Sequence, residues 1–137
     1  ERIGDQTVNL CESLQLMLAK SDLQLLPAIH KMATVVKSMV SDALNAFARL
    51  DPDAALQVLR DDEQADEEYQ ALMRQLITYM MEDPRTITEV LDVVWVARSL
   101  ERIGDHAKNI SEYVIYMVKG KDIRHIDIEE IENDILS

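Results

Sequence analysis

A chain of 137 residues, 47% of them hydrophobic, is long enough for one domain with a real core, which excludes a disordered segment. Its formal net charge of −12 excludes a broad surface for nucleic acid or anionic lipid and suits the binding of cations. A single cysteine, Cys11, excludes an intrachain disulfide framework and points to a reducing cytosol, so a cytoplasmic location is expected.

With three glycines and three prolines, the chain favours long helices over strands and turns. A first helix is predicted over about 1–19, with an apolar face that includes Val8, Leu14, Met17 and Leu18. A second, over 26–50, starts beside Pro27. The third (52–82) and fourth (84–119) each begin at an Asp-Pro pair, Asp51-Pro52 and Asp83-Pro84. There a carboxylate caps the helix and proline's missing N–H costs nothing. Gly120 after Lys119 is a stop signal, and the acidic tail over 121–137 holds at most one short helix. The best apolar run, "YVIYMV", falls far short of the ~18 residues of a membrane span, so no membrane insertion is expected. No signal peptide is visible. The chain starts at Glu1 without an initiator Met, as expected of an excerpt from a longer protein.

Apolar residues recur at three-and-four spacing. Val58, Ala65, Leu72, Leu76 and Tyr79 mark the third helix; Val96, Leu100, Ile103, Ala107, Ile110, Val114 and Met117 mark the fourth. The methionines and Trp95 are expected in the core. Short joins at 51 and 83 force hairpins, so the fold class is all-α, an elongated antiparallel helical bundle with helices about 45–55 Å long.

One dodecapeptide occurs twice, as "ERIGDQTVNLCE" from residue 1 and "ERIGDHAKNISE" from residue 101. At ~100° per residue, Glu101, Asp105, Asn109 and Glu112 fall within about 80° of one another, and Glu1, Asp5, Asn9 and Glu12 repeat the pattern. All can offer oxygen to a metal. A further acidic pair, Asp62 and Asp66, lies beside the apolar stripe of the third helix. That pair centres 19 residues before Asp83, and Glu101 with Asp105 centres 20 residues after it. The hairpin therefore sets both pairs at nearly the same height. Two carboxylates ~5 Å apart repel by roughly 3 kcal/mol at an effective dielectric of ~20, which hard cations with oxygen ligands would relieve. Residue spacing alone leaves the plain alternative open, that the acids form a solvated face. Glu101 and Asp105 lie nearly opposite the Leu100–Ile103–Ala107–Ile110 stripe, so any metal site is expected to be open and near the surface. Gly4 and Gly104 recur inside helices and suggest close packing, as by a neighbouring backbone. His30, His106 and His125 suggest solvent or packing roles. No ExxH, HExxH, nucleophile triad or phosphate loop is present, so no catalysis is expected.

The stretch "LERIGDHAKNISEYVIYMVKGKDIRH", preceded by "RQLITYMMEDPRTITEVLDVVWVARS", resembles the PhoU family, and the likeness runs over about residues 1–125. That resemblance implies two three-helix repeats in the whole protein. Residues 1–20 would then be the last helix of a truncated first repeat, 22–120 a complete second repeat and 121–137 the tail. It implies metal clusters on E(D)xxxD motifs, here Asp62 with Asp66 and Glu101 with Asp105. Glu1 and Asp5 match the first repeat, and Asn109 and Glu112 lie on the same line. Magnesium, manganese, iron or zinc would serve. The resemblance also implies a negative regulator of phosphate uptake and starvation signalling. Its partners would be the ATPase subunit of a phosphate ABC transporter and a membrane sensor histidine kinase. The helix paired with Glu1 and Asp5 in the family is absent, so the exposed face of the first helix suggests a homodimer. Two alternatives compete: a helical interaction module without metal, and a carboxylate-bridged di-metal oxidase, which the absence of ExxH opposes.

Overall fold

Three helices carry apolar stripes of heptad spacing. In α1 (Leu26–Arg49) the buried residues are Ile29, Met32, Val36, Met39, Ala43 and Ala46. In α2 (Pro52–Glu82) the buried positions Val58, Asp62, Ala65, Leu72 and Leu76 keep the same rhythm, with Tyr69 partly buried. In α3 (Ile87–Lys119) the rhythm runs through Val90, Val93, Ala97, Leu100, Gly104, Ala107, Ser111 and Val114, with Val96, Ser99, Ile103 and Ile115 buried beside it. A 3.5-residue period keeps each stripe turned toward its neighbours along the whole helix, which selects near-antiparallel packing into a bundle. At ~1.5 Å per residue, the 31 residues of α2 extend about 46 Å. This computed structural model describes residues 26–120 and 128–136, with Glu1, Arg2 and Gly4. Among them every regular element is helical, each of the three long helices packs on both others, and no helix is long and apolar enough to cross a membrane. Apart from Glu1, Arg2 and Gly4, the expected first helix over 1–19, with Asp5, Asn9, Cys11, Glu12 and the apolar face proposed for dimerisation, lies outside the described residues, as does His125.

Local chemistry sets the corners. Asp51 caps α2, its Oδ1 accepting from the Asp53 and Ala54 N–H groups at 3.0 and 3.3 Å, with Pro52 next in line. Leu50 before it is left-handed at φ 52° and ends α1. The second corner departs from expectation. Residues Pro84–Thr86 form a 3-10 turn, and the α-helix starts only at Ile87. The Asp83 carboxylate is occupied by the Arg85 N–H and guanidinium, which hold the chain in that tighter turn. Gly120, at φ 68°, closes α3 by donating its N–H to the Tyr116 carbonyl. The short helix α4 (Ile128–Leu136) packs on α2, with Arg60 paired to Glu132 and Ile128 against the end of the core.

The buried core falls into three clusters along the bundle. Large aliphatic side chains predominate in the end clusters, which also hold Ala46, Ala55 and Ala97, whereas a waist of smaller ones in the middle consists of Met39, Ala43, Val58, Ala65 and Ala107. Small side chains on facing helices permit close approach of the backbones at that level. Gly104 belongs to this waist, and it faces side chains rather than a neighbouring backbone. A Cβ there would lie 3.6 Å from Met39 Cε and 3.8 Å from both Met39 Sδ and Val36 Cγ2, an ordinary contact. Gly104→Ala is therefore expected to stabilise the protein by about 0.5–1 kcal/mol through helix propensity, read as a raised urea midpoint.

Three apolar residues expected inside are outside. Trp95 is 55% exposed because it stands about 200° around α3 from the buried Ala97, with the Arg98 guanidinium 5.9 Å from its ring centroid. Met81, 79% exposed, and Met117 lie in the last turns of α2 and α3, at the two ends of the bundle.

Candidate metal centre

Asp62 occupies a core position of α2, midway between Val58 and Ala65, and is only 5% exposed. One turn on, Asp66 is exposed. Across the seam, Glu101, Asp105, Lys108 and Glu112 form a single stripe of α3 at spacing four, three, four. The antiparallel register sets Asp62 level with Lys108, whose Nζ is 3.5 Å from Asp62 Oδ2. Asp66 then lies among Asp105 and Glu101, and Tyr69 beside Glu101. The sequence-derived hairpin height is correct. Four carboxylates from two helices share one seam.

The electrostatics record that crowding. Burial pushes the Asp62 carboxyl up to about 6, Asp66 adds to the rise, Lys108 opposes it, and Asp105 contributes further. Burial also raises Glu101, reinforced by Asp105 and Asp66 and opposed by Arg98 and Arg102. Asp105 is raised by burial and by Asp66 against the pull of Lys108 and His106. Burial would lower Lys108, yet Asp62, Glu112 and Asp66 together hold it above its ordinary value. An open groove of about 610 Å³, lined by Asp66, Glu67, Glu68, Gln70, Ala71 and Arg74, borders the cluster.

Of the sequence-predicted site residues, Asp62, Asp66, Glu101 and Asp105 lie near enough along the α2–α3 seam to influence one another's charge. Glu112 joins through Lys108. Asn109 is exposed on α3, Glu1 is exposed, and Asp5 lies outside the described residues. The expectation of a wholly open surface site is corrected at Asp62, because the heptad rhythm turns that residue inward. Sequence reasoning missed Lys108, although its place seven residues after Glu101 and three after Asp105 sets it on the same stripe. The donor set suits hard cations, being all carboxylate oxygen. Among the described residues no three His, Cys, Asp or Glu side chains converge as a closed ligand group.

Comparison with known proteins agrees with this architecture. The PhoU domain matches residues 29–114. The chain is 47% identical over 139 residues to the phosphate-specific transport system accessory protein PhoU homolog of Pseudomonas aeruginosa, covering 98% of this chain and 57% of that protein. It is 42% identical over 132 residues to the phosphate-specific transport system accessory protein PhoU of Escherichia coli K12, covering 96% and 55%. The crystal structure of PhoU from Pseudomonas aeruginosa superposes with a TM-score of 0.83 at 47% identity, covering 88% of this chain and 58% of that one. The chain thus spans about half the length of the curated relatives it matches. With a matching domain over most of its bundle and the same fold in a solved relative, this chain belongs to the PhoU family.

Proposed function

We propose that the protein is an accessory regulator of phosphate uptake that keeps phosphate-starvation signalling off when phosphate is plentiful. It works without catalysis, as a cytoplasmic metal-binding adaptor between the ATPase subunit of a phosphate ABC transporter and a membrane sensor histidine kinase. The role in phosphate transport is supported by relatives named as accessory proteins of that system at 47% and 42% identity. On this reading residues 1–20 are the last helix of a first repeat and 22–120 the complete second repeat. The first-repeat helix, with Glu1 and Asp5, completes its own site in the intact protein or in a homodimer.

The metal-binding part is supported by the crowding of acids along the α2–α3 seam: burial and acidic neighbours, Asp66 among them, raise the Asp62, Glu101 and Asp105 carboxyl groups. Magnesium, manganese, iron or zinc bound there would supply the missing positive charge. A second reading, an acidic docking face without metal, is favoured by the pairing of Asp62 with Lys108.

The two are separated by titrating the chelator-stripped intact protein with Mn²⁺ or Zn²⁺ and following heat and thermal midpoint. Asp105→Ala should weaken binding at least about ten-fold, as expected for a lost charged ligand. The same variant should derepress a phosphate-starvation reporter in phosphate-rich medium. Absence of binding by the wild-type protein, with the reporter still silenced, would establish the metal-free reading.

A further inference from the structure

We propose that α4 is a displaceable strap over a docking surface on α2, and that Leu56, Leu59 and Arg60 beneath it receive an amphipathic, carboxylate-bearing helix of a partner protein. This surface needs no metal, and it gives an adaptor a place where a partner can dock.

The three-helix interface does not account for the burial of Leu56. Two residues before Val58, Leu56 stands about 200° around α2 from that core position, yet it is only 5% exposed. The described element that packs there is α4. Ile128 lies against the cluster that holds Leu56 and Leu59, and Glu132, one turn on, pairs with Arg60, one turn after Leu56. An apolar residue and a charge on α4 are thus matched by an apolar residue and a charge on α2.

The chemistry of α4 makes it displaceable. Its nine residues are too few to hold a helix alone in water, where about 12–15 are needed, so it stays helical only while docked. It carries Glu129, Glu130, Glu132 and Asp134 without a basic residue, on a chain of net charge −12, and among the described ion pairs only Arg60 meets it. Ile128, Ile131 and Ile135 recur along it at three-and-four spacing, the pattern of a helix that lays one face on another surface. A partner helix with the same apolar spacing, one carboxylate for Arg60 and fewer further acids makes the same contacts with less repulsion.

The probe is a fluorescein-labelled peptide of residues 126–137, IDIEEIENDILS, read by anisotropy against the intact protein. Wild type should bind it poorly, because its own α4, joined to α3 through residues 121–127, competes at an effective concentration of roughly millimolar. Ile128→Asp undocks α4 without altering α2 and should bind the probe at least about ten-fold more tightly. Amides over 128–136 should lose their protection from hydrogen exchange in the same variant. Adding Arg60→Glu should reverse the gain, and a probe carrying Glu132→Arg should restore it. If circular dichroism shows that Ile128→Asp misfolds, Glu132→Arg in the protein serves as the undocking variant. Unchanged amide protection in the undocked variant, or probe binding that neither undocking nor Arg60→Glu alters, would overturn the strap and leave the metal-binding reading untouched.

Discussion

Asp62→Asn is expected to stabilise the metal-free protein at pH 7 and to leave its stability near pH 3.5 almost unchanged. Folding takes the Asp62 carboxyl from an ordinary 3.8 to about 6, first through burial and then through Asp66, with Lys108 opposing and Asp105 adding to the rise. Between these values the folded state binds more protons than the unfolded one, so stability falls as pH rises through that window. The favourable contribution is complete below 3.8 and lost above 6. At about 1.4 kcal/mol per unit, the ionised group costs on the order of 3 kcal/mol at neutral pH. An isosteric amide carries no charge and avoids most of that cost, which corresponds to a rise of roughly 10 °C in midpoint for a domain of this size. Urea denaturation of both proteins from pH 3.5 to 7.5 in chelator checks the sign. Identical slopes of stability against pH would show that Asp62 does not titrate abnormally. Saturating metal should reverse the order, because the wild type gains a ligand that the amide supplies poorly.

Met39→Ala should cost about 3 kcal/mol, within the range for emptying a large side chain from a rigid core. Met39 is fully buried at the waist, where its Cε and Sδ lie over Gly104, and the surrounding Ala43, Ala65 and Ala107 are too small to close the gap. The loss should appear as a lower urea midpoint with an unchanged denaturant slope, whereas Met39→Leu, which nearly conserves volume, should cost less than about 1.5 kcal/mol. Equal losses for both substitutions would mean that the waist can collapse around the space.

Much of the bundle was legible because its signals are local. Proline and aspartate at 51–52 need no distant partner to start a helix, Gly120 needs none to end one, and a three-four rhythm such as Val58–Ala65–Leu72 declares which face must leave water. Hairpin length alone then set Asp62 and Asp66 level with Glu101 and Asp105. Trp95 is exposed despite its hydrophobicity, which says nothing about its angle around α3, and the 3-10 turn at 84–86 depends on how Arg85 engages Asp83.

By itself, then, the sequence determined the three long helices of the bundle, their antiparallel order, the approximate height of the acidic pairs and, through the doubled ERIGD motif, the family. Only the tertiary structure decided which carboxylate is buried and which cation faces it. Helical spacing gives an angle about one axis, but burial and charge pairing depend on the distance between two axes. Only in the folded bundle do Asp62, turned inward on the same rhythm as Val58 and Ala65, and the half-buried Lys108 come within 3.5 Å of each other.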